Sequence, residues 1–195
     1  MPITIDGTGT IGGITAGGLP NGTVTRDDLA TTAKGSILQV KQAVKTDRTS
    51  SAAGYVWTDT GLSVDITPTS TSSNILVMAN VHLGGGNSYD LKIKILRDST
   101  VIGVGDGDSG RPAVTSVINI YDTTHALYQQ APVTGTYLDT AVSTTSQVTY
   151  KVQFASYGGY VAYVNRTEDY QLHVETTPEY DSTPISTLTL MEVAA

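Results

Sequence analysis

Val148-Thr149-Tyr150-Lys151-Val152-Gln153-Phe154 alternates apolar and polar residues at every step. Successive side chains of an extended strand point to opposite faces, so this stretch has one face for a core and one for water. Tyr150 belongs to the core-facing set. Leu91-Lys92-Ile93-Lys94-Ile95 has the same period, with Lys92 and Lys94 on the wet face. Leu38, Val40, Gln42 and Val44 alternate with Gln39, Lys41 and Ala43, the signature of a half-buried strand. Leu62-Ser63-Val64-Asp65-Ile66 repeats it until Pro68 stops the run. Ile75, Val77, Ala79, Val81 and Leu83 mark one face of a longer strand, while Leu76 and Met78 make its early part apolar on both faces. The closing stretch Ile185 to Val193 is also apolar in both parities. Strands of that kind are buried between layers or against another subunit.

Turn clusters separate these runs: Gly84-Gly85-Gly86-Asn87, residues 103–110, Gly158-Gly159 and the polar stretch from Asn165 to Pro184. Roughly eight to ten short strands at this spacing, with no helical pattern between them, predict an all-β fold, an antiparallel β-sandwich or jelly roll. No repeat of solenoid or propeller period runs through the chain. Charged residues make up only 15% of it, and Ser and Thr abound, which suits short strands and Thr-rich turns.

Aromatic residues divide the chain. All of them fall between Tyr55 and Tyr180. The start, Ile3-Thr4-Ile5-Asp6-Gly7-Thr8-Gly9-Thr10-Ile11-Gly12-Gly13-Ile14, has too few large side chains to offset the entropy of ordering by itself. We therefore expect an attachment segment over residues 1–35, ordered by copies of itself or by another protein, and a β-sandwich head over residues 36–195. One short helix is expected in the leader. Thr25 can cap its start, Asp27 and Asp28 sit at the positive end of its dipole, and Lys34 with Gly35 can close it. Leu29, Ala30 and Ala33 form a small apolar patch on it. A total of 195 residues fits one ordinary domain plus such an appendage.

Charge and chemistry exclude several classes. A net charge of −7 disfavours nucleic acid as a partner. No signal-peptide pattern opens the chain and no apolar run is long enough to span a bilayer, so a soluble protein without membrane insertion is expected. With no cysteine there is no disulfide, thiolate site or cysteine nucleophile. His82, His125 and His173 stand in no metal-binding spacing, and no nucleophile elbow occurs. Asp106, Asp108, Glu168, Asp169, Glu175, Glu179 and Asp181 supply carboxylates, but glycoside hydrolysis needs two held about 5–10 Å apart in a cleft. Gly105-Asp106-Gly107-Asp108-Ser109-Gly110 fails as a calcium loop, because Gly110 and Val117 stand where ligands are required. A polar turn is the simpler account. The expectation is a protein that is not an enzyme and uses no metal or cofactor. The glycine runs read as turns needing positive φ, and Asn21-Gly22-Thr23 and Asn165-Arg166-Thr167 are chance sequons.

Several blocks resemble the tail fibre proteins of tailed bacteriophages of the marine or cyanophage type. They are Thr4-Ile5-Asp6-Gly7-Thr8-Gly9-Thr10-Ile11, the stretch from Ala16 to Val24, and Gly35-Ser36-Ile37-Leu38-Gln39-Val40. Thr58 to Met78, Val148 to Phe154, Val164-Asn165-Arg166 and Leu188 to Val193 are similar in the same style. The resemblance implies a homotrimer carried on the virion and made in the host cytoplasm. Its leader would bind a tail, baseplate or capsid protein, and its head would face a bacterial surface glycan or protein. A head fibre or capsid decoration protein without a strong receptor, and a polysaccharide depolymerase, are the other readings. The resemblance carries no receptor residues across. From the residues themselves, loops 103–111 and 156–163, with 165–182 behind them, are the candidate binding loops. Exposed tyrosines beside Asp suit the apolar face and hydroxyl rim of a sugar. Asp106, Asp108, Arg111, Tyr157 and Tyr160 are accordingly the candidate receptor-binding residues, with Tyr163, Tyr170 and Tyr180 near them.

Overall fold

The alternation of the sequence becomes two antiparallel sheets facing one another. The computed structural model describes residues 37–85, 90–120, 128–168 and 182–195. The leader and its expected helix, His125, His173, Tyr170 and Tyr180 lie outside them. Among the described residues the chain forms β1 (Ile37–Lys45), β2 (Thr49–Ser50), β3 (Thr58–Ile66), β4 (Asn74–Gly84), β5 (Leu91–Arg97), β6 (Thr100–Ile102), β7 (Ser116–Ile118), β8 (Gln130–Asp139), β9 (Val148–Ser156), β10 (Tyr163–Val164) and β11 (Ser186–Val193). Sheet A runs β1-β11-β4, with β8 on the other edge of β4; β10 and β2 extend the β11 and β1 columns. Sheet B runs β3-β9-β5, with β6 and β7 sharing the far edge of β5. This is an antiparallel β-sandwich. None of the described residues forms a helix long and apolar enough to cross a membrane.

The core is built from the expected sets. Ile75, Val77, Ala79, Val81 and Leu83 of β4, with Leu188 and Leu190 of β11, meet Leu62, Val64 and Ile66 of β3, Val148, Tyr150, Val152 and Phe154 of β9, and Leu91, Ile93 and Ile95 of β5. Each fully buried Leu, Ile or Val is worth about 1.5–3 kcal/mol of removal from water.

β1 keeps the expected period and reverses the expected side. Ile37, Val40 and Val44 are each about half exposed, at 53%, 52% and 51%, while Gln39, Lys41, Ala43 and Lys45 take the inward parity. The cause lies across the sheet. Gln39 donates through Nε2 to Glu192 Oε2 at 2.6 Å and to the Thr67 carbonyl at 2.8 Å, so a buried carboxylate fixes which face turns in. Register then extends the apolar row outward: Val40 pairs with Met191, Met191 with Leu76, and Leu76 with Leu138. The neighbouring rows are Gln42–Thr189–Met78–Thr136 and Val44–Thr187–Asn80–Thr134. These three rows of the outer face of sheet A hold no Asp, Glu, Lys or Arg.

Buried polar ties close the sandwich. Asp139, at the end of β8, accepts from Arg97 Nη1 at 2.7 and 2.9 Å, from the Tyr150 hydroxyl at 2.9 Å and from the Ala141 amide at 3.1 Å. Arg97 and Tyr150 belong to sheet B, so this carboxylate joins the layers. Burial and then the Asp139 carboxylate push the Tyr150 hydroxyl far up, with Arg97 opposing. Asn165 is fully buried with φ of 59°, and its side chain donates to the Lys45 and Asp47 carbonyls and accepts from Ser186 Oγ. Its amide is committed, so the sequon at this position is closed in the folded chain. Gly84 corrects a second expectation. It is required by close approach rather than by positive φ, since a Cβ there would run into the Arg166 carbonyl oxygen.

Glu192 gives a pH test. Burial alone would raise its pKa, but hydrogen bonds from Gln39 and from both the hydroxyl and amide of Thr69 favour the charged form, and the carboxyl lies below its ordinary 4.5. The unfolded chain therefore takes up the proton first. The stabilisation is complete above the unfolded value and is lost as pH falls through the folded one. Thermal unfolding followed below pH 4.5 should show this loss, and Glu192→Gln should start less stable at neutral pH and show a flatter curve in that window.

Candidate functional site

Sheet B has a different outer face. Lys92 and Lys94 stand two apart on β5, opposite Ala155 and Gln153 of β9, and Gln153 pairs in turn with Asp59 of β3. Sequence alternation placed both lysines in water. Instead Lys92 is buried, with 6% of its surface exposed, because aromatic residues from distant segments cover it. The segment before β3 brings Tyr55 and Trp57 over this face, their rings meeting edge to face at 5.8 Å. Gly54 turns that segment with φ of 100°. The Ser51 amide donates to the Ala162 carbonyl, and the Ala162 amide donates to Ser51 Oγ, tying the segment to the loop that follows β9. That loop starts at Ser156, whose hydroxyl donates to the Tyr160 carbonyl. Gly158 takes φ of 63°, and Tyr157 projects beside it, 56% exposed.

Cations and rings interleave here. Lys92 Nζ lies 5.6 Å from the Tyr55 ring centre and 6.0 Å from that of Tyr157, and it pairs with Asp90 Oδ2 at 2.8 Å. Lys94 Nζ lies 4.4 Å from the Trp57 ring. An ammonium over an aromatic face is attracted by the ring quadrupole, more strongly where water is excluded. Burial lowers the Lys94 pKa, with Asp59 opposing, and burial raises that of Tyr55, with Trp57 opposing. Asp59 also accepts from Gln153 at 2.6 Å and pairs with Lys151 at 3.2 Å.

Beside Lys92 opens a cleft of about 490 Å³. Tyr55 and Tyr157 wall it with Pro112, Asp90 and Lys92 line it, and Arg111 reaches it with Gly110 and Gly158. Arg111 is carried by the β6–β7 connection. Gly103, at φ of 59° and in close contact with Tyr137, starts that connection. The Arg111 amide donates to the Asp108 carbonyl at 2.6 Å. Its guanidinium makes no ion pair with any described residue.

Two of the expected residues, Arg111 and Tyr157, thus meet at one cleft although 46 positions separate their numbers. Asp106, Asp108 and Tyr160 do not line it. Asp108 is turned onto its own loop, accepting from Ser109 Oγ at 2.6 Å, and Tyr160 serves through its carbonyl. Tyr163 lies in β10 with the Arg166 guanidinium 4.1 Å from its ring centre. Among the described residues, no three His, Asp or Glu side chains gather where a metal ion would bind. Tyr55, Trp57, Asp90, Lys92 and Lys94 escaped the sequence reading. The available signal was Tyr55-Val56-Trp57, two aromatics at strand spacing just ahead of β3.

No family model matches this chain, and no curated protein does. Among solved structures it is similar to the tripod (BppUct-A-L) from the baseplate of bacteriophage Tuc2009, at 12% identity and a TM-score of 0.37 over 100% of this chain and 81% of that one. It is also similar to a chain of infectious bursal disease virus, Gx strain, at 9% identity and a TM-score of 0.35 over 80% of this chain and 37% of that one. At these scores neither likeness bears on what this chain does.

The Asp90–Lys92 pair generates a direct test of the site's architecture. Asp90→Asn leaves a buried ammonium without its carboxylate. Since Asp90 itself is partly in water, denaturant unfolding should show a loss of about 1–3 kcal/mol, between the values for surface and buried pairs.

Proposed function

We propose that this chain is a structural protein of a bacteriophage particle, a homotrimer held to tail, baseplate or capsid by residues 1–35, whose head binds a glycan on the bacterial surface. One observation carries this reading: the two outer faces of the sandwich differ in kind. The outer face of sheet A is uncharged through its central rows, an apolar row from Val40 to Leu138 beside rows of mostly Thr, Asn and Gln, with Val40, Val44 and Leu138 exposed, a surface suited to burial against further copies of the chain. Sheet B presents a cleft in which rigid aromatic walls stand beside charged and polar groups, the make-up of small-ligand sites. The resemblance to tail fibres joins these two faces into one arrangement, and it is the ground for three copies rather than two.

We read the cleft as a site for binding rather than for catalysis. Among the described residues it holds one carboxylate, Asp90, already paired with Lys92, where glycoside hydrolysis needs two. Each site can be shallow, since three copies multiply a weak single-site affinity.

Particles carrying Tyr55→Ala together with Tyr157→Ala should adsorb to host cells at least about ten-fold less, as expected when aromatic anchors are removed from a binding site. The assembled mass of the purified protein should not change. Normal adsorption would place recognition elsewhere, and loss of assembly would make these rings scaffold.

A further inference from the structure

The charges in the cleft define its ligand more narrowly, given the reading of the cleft as a glycan site. We propose that it takes a sugar unit carrying a carboxylate or a phosphate, with the anionic group between Lys92 and Arg111 and the sugar ring against Tyr55 and Tyr157. Asp90 offsets one of the two cations, so the cleft keeps a positive excess in a chain whose net charge is −7. That excess is confined to a small volume beside low-dielectric walls, where it attracts anions more strongly than the same charge would on open surface.

The two cations divide the work. Lys92 is held in advance, its stem buried, its ammonium between two rings and one of its donors committed to Asp90 at 2.8 Å. An ammonium has three donors, which leaves two for a ligand at no further cost in ordering. Arg111 supplies a planar fork that matches a carboxylate or phosphate through paired hydrogen bonds, and no described carboxylate occupies it. A neutral sugar would use the rings and leave the guanidinium without a partner. Inorganic phosphate would use the cations and leave the rings bare. A ligand with both parts matches all of the cleft, and about 490 Å³ lies within the range of small-molecule sites.

Titration of the full-length protein at low ionic strength, followed by calorimetry, separates the outcomes. The probes are glucuronate, glucose 6-phosphate, glucose and inorganic phosphate. At least one acidic sugar should bind about ten-fold or more tightly than both glucose and phosphate, weakening as sodium chloride is raised. Whether glucuronate or glucose 6-phosphate leads distinguishes carboxylate from phosphate as the natural anionic group. Arg111→Gln, on an exposed loop, should remove most of that preference with the unfolding temperature unchanged. Equal binding of glucose and the acidic sugars would overturn the anionic class and leave the glycan reading intact. Phosphate binding as tightly as the acidic sugars would also overturn the proposal, showing an anion site without sugar recognition. Binding of none of them would overturn both readings.

Discussion

A pleated strand has two faces, and a two-layer sandwich covers only one of them. In this chain the covered faces supply a continuous core from β3, β4, β5, β9 and β11. What distinguishes the protein is how the uncovered faces were filled. Sheet A spends its outer face on Val40, Met191, Leu76, Leu138 and Met78 with neutral Thr, Asn and Gln between them. Sheet B carries Asp59, Lys92, Lys94, Lys151 and the aromatic residues that fold over them. One uncovered face excludes charge and the other concentrates it.

Neither face would hold its composition without the polar ties inside. Asp139, at the end of β8 in sheet A, accepts three hydrogen bonds from Arg97 and Tyr150 of sheet B, so the layers cannot slide without stranding a buried carboxylate, an expensive outcome in a low-dielectric interior. Glu192 sets the parity of β1 through Gln39. Asn165, in a left-handed conformation just after β10, ties the exit of β1 to the start of β11. The segments that build the cleft turn at Gly54, Gly103 and Gly158, all at positive φ, and bring side chains as distant as Tyr55, Arg111 and Tyr157 to one volume.

The strands were legible because a period of two is a local property. Every core residue quoted from β4, β5 and β9 at the level of sequence is buried in the structure. The side taken by β1 was not legible, because it depends on a carboxylate more than 150 positions away in sequence. The cover over Lys92 was hidden for the same reason. A Lys between Leu91 and Ile93 reads as a wet face unless the rings that shield it are known to arrive from residues 55 and 157. Loop composition pointed to Arg111 and Tyr157 along with Asp106, Asp108 and Tyr160, and it had no means of separating those that converge from those that turn onto their own loop. Gly84 shows the limit in miniature: its glycine answers a carbonyl from Arg166, a contact between distant segments.

The central claim is that the outer face of sheet A is covered in the assembled protein while the aromatic cleft of sheet B stays open. Hydroxyl-radical footprinting of the purified full-length protein reads both faces at once. Coverage predicts that Met78 and Met191 react as slowly as the core residues Tyr150 and Phe154, while Tyr55 and Tyr157 are labelled at the rate of exposed rings. Rapid oxidation of Met78 and Met191, or protection of Tyr55 and Tyr157 in their place, would contradict the account.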